Sequence, residues 1–314
     1  MKQKMNKYLQ LCSIVFITFS GLSAVQANAI KLAEPQNLTV YMQQVLGGGD
    51  NRNFKDVQEL NRVSAWIREQ MRLFGIPCQY QNYKVNDEPY RNVVCSLKNI
   101  HTDKVIIGAH YDVFEDKSGA DDNASGVAGV IETARILASE RKRLKASVDF
   151  VFYTLEEPPY AGTEQMGSFI HAKSLEKQKE NIQGIYILEM IGYFDSNLVQ
   201  EYPIGLKWLY PSHGNFIATV GNLQSREMTA DYCNVMKNLN QLQCERIIAP
   251  SFVQSMDFSD HLNYWSLGYP AMLITDTGSY RNKNYHTDQD RIETLDVGKM
   301  AQVVNGLVNT ILKE

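Results

Sequence analysis

Val105–Asp112 reads VIIGAHYD: a short apolar run that ends in a histidine and an aspartate. A run of this length and composition is a strand. GADDNASGVAG follows at Gly119–Gly129, and beyond Asn123 the residues Val127, Val130, Ile131, Ala134 and Leu137 share one face of an amphipathic helix. Strand, acidic turn and helix in that order recur along the chain. Val148–Leu155 alternates as a strand and ends at Glu156-Glu157, with a helix from Gly167 to about Gln178 behind it. Gly184–Leu188 is a strand that ends at Glu189. Phe216–Gly221 and Pro270–Thr275 are further strands, and Ser225–Asn238 and Val297–Leu312 further helices. Upstream, helical spacing over Phe54–Phe74 stops at Gly75-Ile-Pro77, and Cys78–Val85 and Arg91–Leu97 read as strands joined by a polar turn. Strands alternating with helices give a three-layer α/β fold with a largely parallel sheet.

The 314 residues begin with Lys2, Lys4 and Lys7, then an apolar run from Leu11 to Phe19 and the small residues Ala27-Asn28-Ala29. This order is that of a secretory signal peptide over residues 1–29, cleaved near Ile30. The apolar run is shorter than the ~20 residues a membrane span needs, so no membrane association is expected after cleavage. Residues 30–314 contain no linker rich in Pro, Gly or Ser and read as a single domain. Three of the 31 basic residues and none of the 35 acidic ones precede Ile30, which leaves the remainder at −7 (28 against 35). That balance argues against nucleic acid or an anionic membrane as partner. Cys78, Cys95, Cys233 and Cys244 remain, an even number in an exported chain, and the closeness of each pair favours the disulfides Cys78–Cys95 and Cys233–Cys244. The expected location is the periplasm or outside the cell.

The strand ends share one chemistry. His110 and Asp112, Glu156 and Glu157, and Glu189 each follow an apolar strand, and His286 lies in NYHTDQD before the last helix. Ligand sites of open α/β sheets lie beyond the carboxyl ends of the strands, so these segments can meet there, with Asp121 as a fifth contributor. One of Asp122 and Asn123 suffices as N-cap of the helix, worth ~1 kcal/mol, which leaves Asp121 for another task. Two imidazoles and three carboxylates suit zinc, whereas calcium takes only oxygen ligands. Three carboxylates and one water-derived anion balance two divalent ions, set roughly 3.5–4 Å apart in two-metal sites, with Asp121 as the bridge.

GAHYD, GADDNASG, EE followed by MGS, LEMIGY, SDHLNYW, GYPAMLITDT and YHTDQDRIETLD, in this order from Gly108 to Asp296, resemble metallopeptidase family 28. That family includes leucyl-type aminopeptidases, glutamate carboxypeptidases and glutaminyl cyclases. The resemblance implies a mixed sheet of about eight strands and two zinc ions per chain. One zinc would take His110 and Glu189 and the other Glu157 and His286. Asp121 would bridge them, with a cis peptide to Asp122. Glu156 would be the general base, and Asp112 would hold the imidazole of His110. It implies hydrolysis of a peptide next to a free N-terminus; glutaminyl cyclisation and carboxypeptidase action are the alternatives on the same fold. Arg281 is the candidate for the basic pocket that the carboxypeptidase alternative needs. A non-catalytic binding domain is the alternative from another class. Tyr264, His261 and Tyr280 are candidates for steadying the reaction intermediate. Ser259 reads as a helix cap, with Asp260 in the first turn. The EEPPYAGTEQMGS link is longer than in many relatives, and its loop, stiffened by Pro158-Pro159, is expected to wall the substrate pocket.

Overall fold

The protein is described by a computed structural model that covers residues 30–47, 51–100, 103–178, 180–203, 207–240, 242–248 and 259–313. The expected signal peptide, residues 1–29, lies outside the described residues.

Eight strands form the main sheet: β1 (Cys78–Val85), β2 (Glu88–Leu97), β3 (Lys104–His110), β4 (Ser147–Tyr153), β5 (Ile182–Leu188), β8 (Phe216–Gly221), β9 (Gln243–Ile248) and β10 (Ala271–Thr275). Their spatial order is β1-β2-β4-β3-β5-β10-β8-β9. β4, β3, β5 and β10 are parallel neighbours, as are β8 and β9; β1/β2, β2/β4 and β10/β8 are antiparallel. The short strands β6 (Asp195–Val199) and β7 (His213–Gly214) pair apart from this sheet. The fold expected from the sequence, a mixed and mostly parallel sheet of about eight strands flanked by helices, is the one found.

The central strands are apolar along their length because helices cover both faces. On one face Ile106, Val151, Ile185 and Ile187 pack with Ala172 and Leu175 of α4 (Gly167–Gln178) and Tyr264 of α6 (His261–Ser266). Alternate residues face the other way, toward α3 (Gly126–Ser139), which packs with α1 (Pro35–Leu46), α2 (Val57–Leu73) and α7 (Val297–Lys313). α5 (Arg226–Asn238) lies between α7 and β9. From Lys31 onward the chain forms one compact unit.

Both expected disulfides are present. Cys78 and Cys95 are direct cross-strand partners in β1 and β2, and Cys233–Cys244 ties α5 to the edge strand β9. No helix among the described residues is long and apolar enough to cross a membrane.

Candidate metal centre

The parallel strands β4, β3 and β5 lie side by side, so their carboxyl ends bring Glu156-Glu157, His110 and Glu189 to one place. His110 Nε2 lies 3.1 Å from Glu189 Oε1 and 3.8 Å from Glu156 Oε2. His286 comes from the loop after β10, with its Nε2 3.2 Å from Glu157 Oε2. Asp112 sits behind the cluster. Its oxygens accept the backbone N–H groups of Glu156 (3.3 Å) and Glu157 (3.2 Å), and Oδ1 is 3.5 Å from His110 Nδ1. Leu155, Met190 and His286 adopt φ of 61°, 48° and 58°. Such left-handed backbone at non-glycine residues costs about 1–3 kcal/mol each and persists where the surroundings impose it. Here it turns the chain sharply at Glu156, at Glu189 and at His286 itself.

The aspartate between the two histidines is Asp122, not Asp121. Asp122 Oδ1 is 3.4 Å from His110 Nε2, and Oδ2 is 3.1 Å from His286 Nε2. Asp121 faces away: its carboxylate accepts Gly192 N–H (2.9 Å) and Asn282 Nδ2 (2.7 Å). The cis peptide expected between Asp121 and Asp122 lies one residue later, between Asp122 and Asn123. Asn123 takes the cap, its Oδ1 accepting Gly126 N–H at 3.0 Å. Two residues that the sequence reading does not single out set this register. Asp290 accepts the N–H groups of Asp121 (2.9 Å) and Asp122 (3.1 Å), and the buried Arg52 donates to the carbonyls of Ser118 and Gly119. Gly119 has φ 63°, and a Cβ there would stand 2.3 Å from the Asp122 carbonyl, so only glycine fits.

The electrostatics separate the two aspartates. Burial opposes ionisation of Asp122, but the His110 and His286 imidazoles beside it outweigh this and hold the carboxyl below its usual range. Burial pushes Asp121 well above that range, and the neighbouring charge of Asp276 adds to it. Burial raises Glu156 strongly, against the pull of His110, and raises Glu157 to about 8, with the Asp122 charge adding to it. For His286, burial is outweighed by Asp122 and Glu157, and its pKa rises to about 9.

Asp122, Glu156, Glu157 and Glu189 thus share a small buried volume with two imidazoles. Buried like charges are costly unless a cation compensates them. Glu157 Oε1 and His286 Nε2 have no hydrogen-bond partner among the described residues. One donor atom from each of His110, Asp122 and Glu157 lies within 4.8 Å of the others. The mixed imidazole–carboxylate donor set fits zinc.

A cavity of about 220 Å³ opens from this cluster. Asp122, Glu156 and Glu189 line it, and Val220, Ile247 and Leu273, in register across three strands, make an apolar floor. Tyr285, whose ring stacks on His286 at 3.7 Å, stands in the wall beside Tyr280. The sequence reading passed over Tyr285 although it adjoins His286. Tyr264 lies outside the cavity lining, bonded to Tyr153 (2.7 Å) and His171 (2.6 Å), and His261 is buried against Trp265. Ser259 does not cap α6; its hydroxyl donates to Glu189 Oε2 (3.0 Å). The loop with Pro158-Pro159 does not line this cavity. Its Tyr160 instead packs on Phe54 and Tyr90 around a second hollow. Arg281 is fully buried, donating to Gln200 Oε1 (2.8 Å) and to the Phe216 carbonyl (2.8 Å) and stacked on the Phe216 ring, so it offers no basic pocket for an acidic substrate.

Residues 92–311 match the sequence profile of peptidase family M28. The uncharacterized protein YfbL of Escherichia coli K12 is 38% identical over 289 residues, covering 89% of this chain and 88% of its own. Leucine aminopeptidase 1 of Leptosphaeria maculans is 24% identical over 259 residues, covering 76% of this chain and 60% of its own length. The glutaminyl cyclase of Porphyromonas gingivalis has the same fold, with a TM-score of 0.68 at 18% identity over 88% of this chain and 97% of its own.

Proposed function

The chain belongs to peptidase family M28, and from that premise we propose that it is an exported zinc aminopeptidase, which releases the N-terminal residue of peptides. The observation that carries this reading is the convergence of His110, Asp122, Glu157, Glu189 and His286, with Glu156 among them, beside a cavity that Asp122, Glu156 and Glu189 line. A cavity whose charged lining, among the described residues, is acidic suits the ammonium of a free N-terminus. The two disulfides agree with an oxidising compartment, periplasmic or extracellular.

In this reading His110, Asp122, Glu157, Glu189 and His286 would hold the zinc. Bound zinc supplies Lewis acidity, lowering the pKa of water and polarising the scissile carbonyl. Glu156 takes the proton of the attacking water and hands it to the leaving amine. Asp112 fixes the imidazole of His110 from behind, as carboxylates do at metal-bound histidines. The Tyr285 hydroxyl, in the cavity wall, donates toward the oxygen that gains charge. Asp122 and Glu189 attract the ammonium of the substrate's free N-terminus.

The Glu156→Gln variant tests the assignment. Its zinc content should stay at the wild-type level while release of p-nitroaniline from Leu-p-nitroanilide falls by about 10²–10⁴-fold. Full turnover removes Glu156 as the base. An N-terminal Gln peptide assayed in parallel separates hydrolysis from ring closure; cyclisation without anilide release replaces the aminopeptidase reading with a cyclase.

A further inference from the structure

The cavity has a floor and a wall of different chemistry. The floor is a row of aliphatic side chains in register across three strands: Ile247 of β9 pairs with Val220 of β8, and Val220 with Leu273 of β10. Strands lie about 4.8 Å apart, so the row runs roughly 10 Å across the sheet from the side nearest Glu189. Every charged side chain that lines the cavity among the described residues is acidic. Asp122, Glu156 and Glu189 belong to the metal centre. The fourth, Glu201, does not.

Glu201 is held in place by its main chain. Its N–H donates to the Tyr280 carbonyl (3.3 Å), and its own carbonyl accepts Gln200 Nε2 (2.8 Å). Gln200 is fixed in turn by the buried Arg281. The Glu201 carboxylate meets Lys283 Nζ at 2.7 Å, but both side chains are more than half exposed, and a solvent-screened pair of this kind is readily exchanged for another cation. A leucine side chain gains nothing from a carboxylate in the wall of its pocket. Lysine and arginine lay their methylene stems along apolar surface and keep the charged head at a polar edge. Those are the two surfaces this cavity offers.

We propose that the cavity accepts lysine or arginine as the residue to be released, with the stem on Ile247, Val220 and Leu273 and the cationic head at Glu201. The proposal rests on the aminopeptidase reading for the orientation of the substrate. Its test is therefore a binding measurement on the zinc-loaded full chain: calorimetric titration with L-lysinamide and with L-norleucinamide, which differ chiefly in the terminal charge. In the wild type, lysinamide should bind about 2–5-fold tighter, the scale of a solvent-exposed ion pair. Glu201→Gln should remove most of that ratio, and Glu201→Lys should invert it. Equal affinities in the wild type, no binding of either amide, or a ratio untouched by Glu201→Gln overturns the proposal. Selective binding of lysinamide without hydrolysis of any aminoacyl anilide leaves the binding assignment standing and removes the aminopeptidase reading instead.

Discussion

Asp121 and Asp122 are neighbours of the same type, yet substituting them should have opposite consequences. In Asp122→Asn, the carboxylate within 3.4 Å of His110 and 3.1 Å of His286 becomes a neutral amide. Loss of a partner that merely orients a ligand costs 10–100-fold in metal affinity, so loss of the shared ligand itself should exceed about a hundredfold. In Asp121→Asn, one acceptor oxygen survives for Gly192 N–H, but an amide NH₂ now faces Asn282 Nδ2 across a former 2.7 Å bond. One unsatisfied buried donor costs about 1–3 kcal/mol, which lowers the melting temperature by roughly 5 °C in a domain of this size. The assay is zinc per chain by mass spectrometry after dialysis against a weak chelator, with a thermal melt on each sample. Asp121→Asn should keep wild-type zinc and melt early; Asp122→Asn should lose zinc. The reverse pattern, zinc lost from Asp121→Asn and kept in Asp122→Asn, refutes the assignment of the bridge to Asp122.

Two further outcomes concern stability. Burial lowers His171 to about 4 and His261 to about 3. These folded values lie below the unfolded value of ~6.5. The unfolded chain therefore binds protons first as pH falls, and stability is lost from about pH 6.5 down toward 4 at about 1.4 kcal/mol per pH unit for each ring. Other buried groups titrate in the same window, so the check is the difference between proteins. In urea melts at pH 6.5 and 5, stability of His171→Asn should change with pH by about 1.4 kcal/mol per unit less in the destabilising direction than that of the wild type; an identical slope contradicts the buried neutral imidazole. Reducing Cys78–Cys95 and Cys233–Cys244 with a phosphine opens loops of 17 and 11 residues and should cost about 3 kcal/mol for each bond on the chain-entropy account. A melt unaffected by the reductant would show that neither bond holds the fold.

The sheet was legible because its central strands carry local signals: β-branched runs that stop at Gly, Pro or acidic residues. β1, α4 and β8 fall at the residues the sequence indicates. α1 was passed over although Leu38, Tyr41, Met42 and Val45 follow helical spacing; it follows the stretch expected to be a leader, in a segment read only as the beginning of the mature chain. β9, QCERII, is an edge strand with polar residues outward, so its apolar content is too low to stand out. The cluster at the strand ends was legible in composition, whereas the aspartate beside the histidines is one residue further along than the sequence suggests. Which of two successive carboxylates faces the histidines depends on the backbone at residues 119–123, and Asp290 and Arg52 set that backbone from far along the chain. The same limit applies to Arg281, whose sequence context says nothing of its burial. Ser259 had a plausible local role as a cap, and a contact with Glu189, 70 positions away, displaced it.

Asp290 and His286 lie on one loop. Through Asp290 that loop grips the main chain that aims Asp122, and through His286 it presents an imidazole to the same cluster. The two sides of the centre are therefore mechanically one part. On the zinc reading, a displacement of this loop would withdraw an imidazole and free the opposing aspartate together, so grip on the metal would weaken from both sides at once.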